Sequence, residues 1–301
     1  MVELIAFGSN TIDEYYTVSH WPQPGDKVFI SNRQMFTGGM IGNTACNFSQ
    51  LGNRTVMFDY LPLEDSKDVI LENLKNYGVN TDYIEFDSKF PLSKCLILIH
   101  QDERIVYVQK NNHKLTLSEK QIDFLSQDKI FYTNIEDLSR VTNLQVLKKS
   151  KITIVIDVEF NALKKTKNYL EYLKLAEIIF LNENANDYLK SLDEHWDSHV
   201  NAKYIITTHG SQGSEIKHEN QVIHTPVCPA DVVDSTGAGD AFHASFIHAI
   251  YHHYPVEKAM RFASAGASLS VTKMGPRGHI ESENAVYDYA RKKGYLIEIE
   301  T

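Results

Sequence analysis

Apolar positions along this chain come in short β-branched or aromatic runs separated by amphipathic stretches, a change of period that predicts strands alternating with helices. Residues 2–8, 55–59, 129–132, 152–156, 177–181 and 204–207 read as strands. Residues 43–51, 65–76 (closed by Gly78), 137–149, 167–175 and 185–192 read as helices, and 238–251 and 256–271 as two long helices in succession. Strands spaced by helices imply right-handed βαβ crossovers and a mostly parallel sheet covered on both faces, an α/β sandwich.

Two segments interrupt that rhythm. Residues 13–19 with 27–35, and 94–100 with 104–109, read as hairpin strands, punctuated by Pro22, Pro24 and Gly25 in the first and by Gln101-Asp102-Glu103 in the second. They form either a small sheet projecting as a lid (about 12–36 and 94–110) or antiparallel edge strands of the main sheet. A lid's unpaired edges invite a second copy, so a homodimer through the lid is expected. Residues 1–301 read as one domain, with no internal repeat or low-complexity linker.

The strongest chemical signal is Asp234-Ser235-Thr236-Gly237-Ala238-Gly239-Asp240, followed at once by an apolar helical run. Gly237 and Gly239 allow a tight turn and close backbone approach, and the first-turn amides of the helix have no intrahelical partner. That terminus suits a phosphate. Asp240 would be repelled by a resting phosphate, so it either favours the helix dipole or accepts the proton of a hydroxyl that attacks phosphorus.

Composition narrows the classes. With 301 residues, 43% hydrophobic and 23% charged, the chain has the make-up of a soluble globular protein. A net charge of −9 argues against nucleic-acid binding. Cys46, Cys95 and Cys228 are far apart with no CxxC pair, which fits reduced, structural thiols and a cytoplasmic setting. Residues 2–7 are too short an apolar run for a signal peptide, and no run approaches a membrane span. His248 and His252 have the i, i+4 spacing of a zinc pair but no evident third ligand, so with His253 they read as an exposed helix end.

Gly38-Gly39-Met40-Ile41-Gly42-Asn43-Thr44-Ala45, ending in Leu51-Gly52, and the Asp234–Asp240 segment together resemble the two signatures of the ribokinase-like (PfkB) carbohydrate kinases. Gly8 with Asp13, Asn182, and Thr208-His209-Gly210-Ser211 fit the same pattern, and the run from Arg104 to Asn134 is as similar to the ketohexokinase and fructosamine-kinase branches as to ribokinases. The resemblance implies a three-layer α/β/α sandwich with a β lid and transfer of the γ-phosphoryl of ATP to a sugar hydroxyl with Mg²⁺. It places Asp240 as the base and Gly237, Ala238 and Gly239 as the anion hole. Asp13, Gly39, Met40 and Asn43 would bind the sugar, helped by Lys110 and Asn134, although Asn43 also suits a helix cap. Asn182, Thr208, Gly210, Ser211 and Gly213 fall on the nucleotide side. Small residues at Ala263, Ser264 and Gly266 either leave room for adenine or serve close helix packing. Asp234 and Thr236, with backbone oxygens near Ser270, Lys273 and Gly275, match a K⁺ site, where His279 replaces an expected oxygen ligand.

Three positions depart from the pattern. Ala185 replaces the acid of Asn-x-x-Glu, leaving Glu183 or Asp187 to act through water; Met40 replaces a polar sugar contact; and His243 stands where Asn is frequent, either tuning the pocket or filling helix surface. Tyr15, Phe29 and Tyr107, with Met40, would stack on a planar base if the acceptor were a nucleoside or vitamin-like alcohol. A catalytically weak sugar- or nucleotide-binding regulatory protein is the remaining reading.

Overall fold

The computed structural model describes residues 3–298 apart from 64–65, 102, 110–111, 127–128 and 220. In chain order its strands are β1 (Glu3–Phe7), β2 (Thr11–Val18), β3 (Ile30–Gly38), β4 (Arg54–Phe58), β5 (Tyr60–Leu61), β6 (Glu85–Phe86), β7 (Ser93–His100), β8 (Glu103–Gln109), β9 (Lys129–Asn134), β10 (Thr153–Val158), β11 (Ile178–Asn182), β12 (Tyr204–Thr208), β13 (Ser214–His218) and β14 (Gln221–Thr225). The helices are α1 (Met40–Gln50), α2 (Ser66–Asn76), α3 (Glu119–Phe124), α4 (Ile135–Ser139), α5 (Gln145–Ser150), α6 (Phe160–Lys165), α7 (Tyr169–Leu173), α8 (Glu183–Leu192), α9 (Ala238–Tyr251), α10 (Val256–Ser270) and α11 (Glu283–Lys292).

Among the described residues, the main sheet runs β14-β13-β12-β11-β10-β9-β1-β4, parallel from β4 to β12 and antiparallel across β12, β13 and β14. The period of 2 divides its side chains between two cores. Leu4, Ala6, Ile130, Tyr132, Ile178 and Phe180 face the layer of α1, α9, α10 and α11. Ile5, Phe7, Phe131, Ile154, Ile156, Ile179 and Leu181 face the opposite helical layer. Burial on both faces explains why these strands read as continuous apolar runs.

The interrupting segments form a separate four-stranded sheet, β3-β2-β7-β8, so they are not edge strands of the main sheet. Two antiparallel pairs are joined by a parallel β2–β7 seam that sets Asp13 opposite Cys95. Residues 27–29 lie outside β3, which starts at Ile30. The helix expected over 137–149 is broken, because Leu115 exchanges backbone bonds with Arg140 and Thr142 and draws the chain out of helix between α4 and α5. The helix expected over 167–175 is only α7, preceded by Asn168 in the left-handed region (φ 54), and α6 was not expected. Asn182 caps α8 through Ala185 N–H, moving its start back to Glu183. No helix among the described residues is long and apolar enough to cross a membrane.

Between the lid and α1 the chain turns at Gly39 with φ 96, where a Cβ would lie 2.6 Å from Ser9 O. Gly52 has a similar φ of 88 with nothing within 4 Å. Positive φ alone costs a substituted residue about 1–3 kcal/mol. Gly52→Ala should therefore lose about that much in urea unfolding, and Gly39→Ala distinctly more; equal losses would mean that the close approach to Ser9 has no energetic weight.

Candidate functional site

The carboxyl ends of the parallel strands, the N-terminus of α9 and the inner face of the lid enclose a cleft of about 380 Å³. Open α/β sheets place ligands at this edge. Alternation along the lid strands gives the cleft Asp13 from β2, Cys95 and Ile97 from β7, and Arg104, Val106 and Val108 from β8. Gly39, Met40, Asn43, Asn134, Asn182, Thr208, Thr236, Gly237, Ala238, Gly239 and Asp240 also line it. Lys110 lies outside the described residues.

Gly237 caps α9 with φ 79 and without a side-chain cap bond, so the first-turn amides face the cleft free of intrahelical partners. A Cβ there would stand 2.9 Å from Pro276 O. Asp240, in the same turn, is buried, and Oδ2 accepts 2.7 Å from Asn43 Nδ2. Burial pushes its carboxyl up to about 7, against the opposing pull of the Asn43 bond. Asp13 is also raised, by burial first, while the Thr11 hydroxyl (2.6 Å) and Arg277 pull it down. A Cβ on Gly38 would collide with its carboxylate, at 1.9 Å from Oδ2.

Asn134 stands in the wall with both ends of its amide engaged. Oδ1 accepts Asp137 N–H at 2.8 Å as the cap of α4, and Nδ2 donates to Asp137 Oδ2 at 2.7 Å. His243 is buried rather than on helix surface: its ring stacks on Phe180 at 4.0 Å, and Nδ1 lies 2.9 Å from Tyr132 OH. Burial alone drives it down to about 3, so the imidazole is neutral. Donor atoms of Asp157, Asp240 and His243 lie within 4.8 Å of one another on the cleft floor. At the other end of α9, His252 and His253 are exposed as expected, but His248 is not. His248 is buried, and it shares the Asn53 amide with His252 through contacts of 2.9 Å each.

A second hollow of about 400 Å³ adjoins the first and shares Thr208, Ser235, Ala238 and Gly239 with it. Gly210, Ser211, Gly213, Val227, Phe242, Ser264, Ala267 and Val271 complete much of its lining. Ala263 is fully buried in the core and does not line the hollow; one helical step, about 100°, separates it from Ser264. Ser264 Oγ joins Cys228 N–H to Pro226 O. Gly213 is required where a Cβ would meet Thr225 O at 2.3 Å.

In the loop expected to hold a monovalent cation, Asp234 accepts from Thr236 N (2.9 Å), Thr236 Oγ1 (2.7 Å) and Gly275 N (3.0 Å). Burial raises Asp234, but these bonds and Arg104 outweigh it and hold the carboxyl below its ordinary range. Arg104 reaches down from the lid to Asp234 Oδ1 at 3.5 Å and donates to Thr236 Oγ1. His279 Nε2–H donates to Gly275 O at 2.8 Å, Ser270 Oγ donates to Ala267 O, and Lys273 extends toward Glu281. These donors engage the Asp234 carboxylate and the Gly275 carbonyl.

Sequence reasoning missed several residues here. Arg104 and Asp137 were not among the expected site residues, and Asp157 and Glu159 line the cleft from the end of β10, one strand away from Asn182. Arg277, buried behind Asn43, donates from Nε to Asn43 Oδ1 at 2.8 Å. The only available hint was the turn Gly275-Pro276-Arg277-Gly278. Tyr15, Phe29 and Tyr107 are absent from the cleft lining: Tyr15 packs edge-on to Phe36, while Phe29 and Tyr107 are exposed.

The pfkB family carbohydrate kinase profile matches residues 1–283. Bacillus subtilis ribokinase is 27% identical over 296 residues, which span 95% of this chain and 98% of that protein. The nucleoside kinase of Methanocaldococcus jannaschii is 24% identical over 310 residues, spanning 97% and 98%. The structure of Arabidopsis thaliana ribokinase complexed with ribose and ATP superposes with a TM-score of 0.81 at 23% identity, covering 97% of this chain and 99% of that one. A family match over nearly the whole length, on a site with a buried carboxylate at a glycine-capped helix start, leads to one conclusion: the chain belongs to the pfkB family of carbohydrate kinases.

Proposed function

We propose that this chain transfers the γ-phosphoryl of ATP to a hydroxyl of a sugar or sugar derivative. The observation that carries the reading is Asp240, a buried carboxylate raised to about 7, in the same helical turn as the Gly237–Gly239 amides and beside the wall common to both hollows. ATP would lie in the hollow beside Ser264 and Val271, with its phosphates toward the shared residues. The acceptor would lie under the lid against Asp13, Gly39 and Asn43. Asp240 takes the hydroxyl proton as that oxygen bonds to phosphorus; the bond to the β-phosphate oxygen breaks, and ADP leaves. The α9 amides hold the charge on the phosphoryl oxygens.

A divalent ion carried with ATP would offset phosphate charge. Ala185 offers it no oxygen, whereas Asp157 and Glu159 have carboxylates in the cleft, and these would hold the ion's water shell. A sugar acceptor is supported over a flat base because none of Tyr15, Phe29 and Tyr107, the aromatic side chains expected to stack on a base, lines the cleft. A free lid edge, with Leu96, Ile105 and Tyr107 exposed, supports pairing of two copies through their lids, which light scattering would detect as a doubled mass.

ATP turnover with a panel of pentoses, hexoses, ketoses and nucleosides should find at least one accepted sugar, and Asp240→Asn should reduce that turnover by at least about 10²-fold. An active Asp240→Asn would sink the assignment of the base. Because the base works only when ionised, activity should rise through about pH 7 and be roughly tenfold below its plateau at pH 6. Stability has the opposite slope. The folded carboxyl keeps its proton over the window from 3.8 to about 7, where the unfolded one has lost it, so its contribution fades as pH rises. Asp240→Asn should therefore melt higher than wild type at pH 8.

Because His279 holds Gly275 O and Arg104 holds Asp234 and Thr236, replacing K⁺ with tetramethylammonium should leave turnover within about twofold, whereas His279→Ser should introduce a K⁺ response. Strong K⁺ stimulation of the wild type would overturn this reading.

A further inference from the structure

Arg277 enters the molecule as a buried cation whose bonds all go to neutral acceptors. Nε donates to Asn43 Oδ1 (2.8 Å), Nη1 to Asn73 Oδ1 (2.8 Å), and Nη2 to both Asn10 Oδ1 (3.0 Å) and Gly38 O (2.6 Å). Gly42 makes way for it, since a Cβ there would lie 2.3 Å from Nη2 and 2.1 Å from Asn10 Oδ1.

The chemistry fixes the direction of each amide. A guanidinium has donors only, so the oxygens of Asn43 and Asn10 must face it and their NH₂ groups must face away. The Asn43 NH₂ then meets Asp240 Oδ2, and the Asn10 NH₂ meets Asp59 Oδ2 at 2.9 Å. Without the guanidinium, only the ionised Asp240 carboxylate favours that orientation; a protonated Asp240 would donate to a turned Asn43 oxygen and hold its proton more tightly. The Gly38 carbonyl is the last of β3, so the same group that orients Asn43 also holds the root of the lid.

We propose that Arg277 is a positioning residue for phosphoryl transfer, acting through the Asn43 amide on Asp240 and through Gly38 on the lid. The proposal rests on Asp240 being the base. It has no contact with the hollow assigned to ATP, so its removal should affect turnover and leave ATP binding in place.

A cavity of about 400 Å³ on the far side of Arg277, lined by Thr37, Asn73, Tyr77 and Pro276 among others, gives small solutes a route to this position. The test is steady-state kinetics of Arg277→Ala, Arg277→Gln, Asn43→Ala and the Arg277→Ala/Asn43→Ala pair, with Asp240→Asn as reference. Arg277→Ala should lose about 10²-fold in kcat with KM for ATP within about threefold. Millimolar guanidinium should restore at least about tenfold of that loss, while urea at the same concentration should not. The double variant should be slower than Asn43→Ala by much less than the loss in Arg277→Ala alone, since the two substitutions share the Asn43 interaction and only the Gly38 contact is additional. Should Arg277→Ala fail to fold, Arg277→Gln carries the same comparison, with loss in kcat and not in ATP KM as the expected result.

Losses that multiply in the double variant, a matching rise in ATP KM, or wild-type kcat in either Arg277 variant would each overturn the proposal. If Asp240→Asn is itself active, the base assignment has failed and takes the proposal with it. If Asp240→Asn is inactive and the Arg277 variants are not impaired, only the role of Arg277 is wrong.

Discussion

A charge buried without a carboxylate beside it is the constraint around which this site is arranged. Desolvating a cation costs several kcal/mol, and the guanidinium of Arg277 recovers that cost through four hydrogen bonds to parts of the chain that are distant in sequence. Asn10 follows the first strand, Gly38 ends the lid, Asn43 begins α1 and Asn73 belongs to α2. Their convergence on one rigid fork sets the spacing between lid, sandwich and helix start. On either side a neutral amide passes the field on to a buried acid: Asp59, raised to about 6, and Asp240, raised to about 7. Burial dominates both shifts, and the amide bonds restrain them. The result is a buried acid that holds its proton loosely near neutral pH.

The glycines are the counterpart of that constraint. Gly38, Gly39 and Gly42 lie within five residues of chain, and each would drive a Cβ into a close neighbour: Asp13, the Ser9 backbone, or Asn10 and Arg277. Gly237 has the same relation to Pro276, which precedes Arg277. The two glycine-rich signatures, far apart in sequence, therefore close on the same short loop from opposite sides.

Much of this was legible beforehand, for reasons that can be stated residue by residue. The strands were visible because burial on both faces demands unbroken apolar runs, and Asp240 was visible because it shares the first turn with two glycines at a helix start suited to a phosphate. What stayed hidden depended on tertiary distance or on helical phase. Arg277 reaches Asn10 across 267 positions, and no local pattern announces such a partner. Asn134 spends its amide on Asp137 within its own turn, so its place in the wall and its freedom to bind are separate questions. Ala263 and Ser264 differ by one step of rotation, and only the packed helix shows which of them faces the hollow. His248 looked like surface because its partner, Asn53, comes from the turn before β4.

The two hollows have Ala238 and Gly239 in common, so they are rooms on either side of one helix start rather than separate pockets. A single molecule with an adenine-bearing end and a polyol end, joined by a short anionic bridge, would meet both without leaving the protein surface. Its second contact would then form at the millimolar effective concentrations typical of short linkers. Selectivity would come from the lid side, whose Cys95, Ile97, Val106 and Val108 roof belongs to the lid-side room alone.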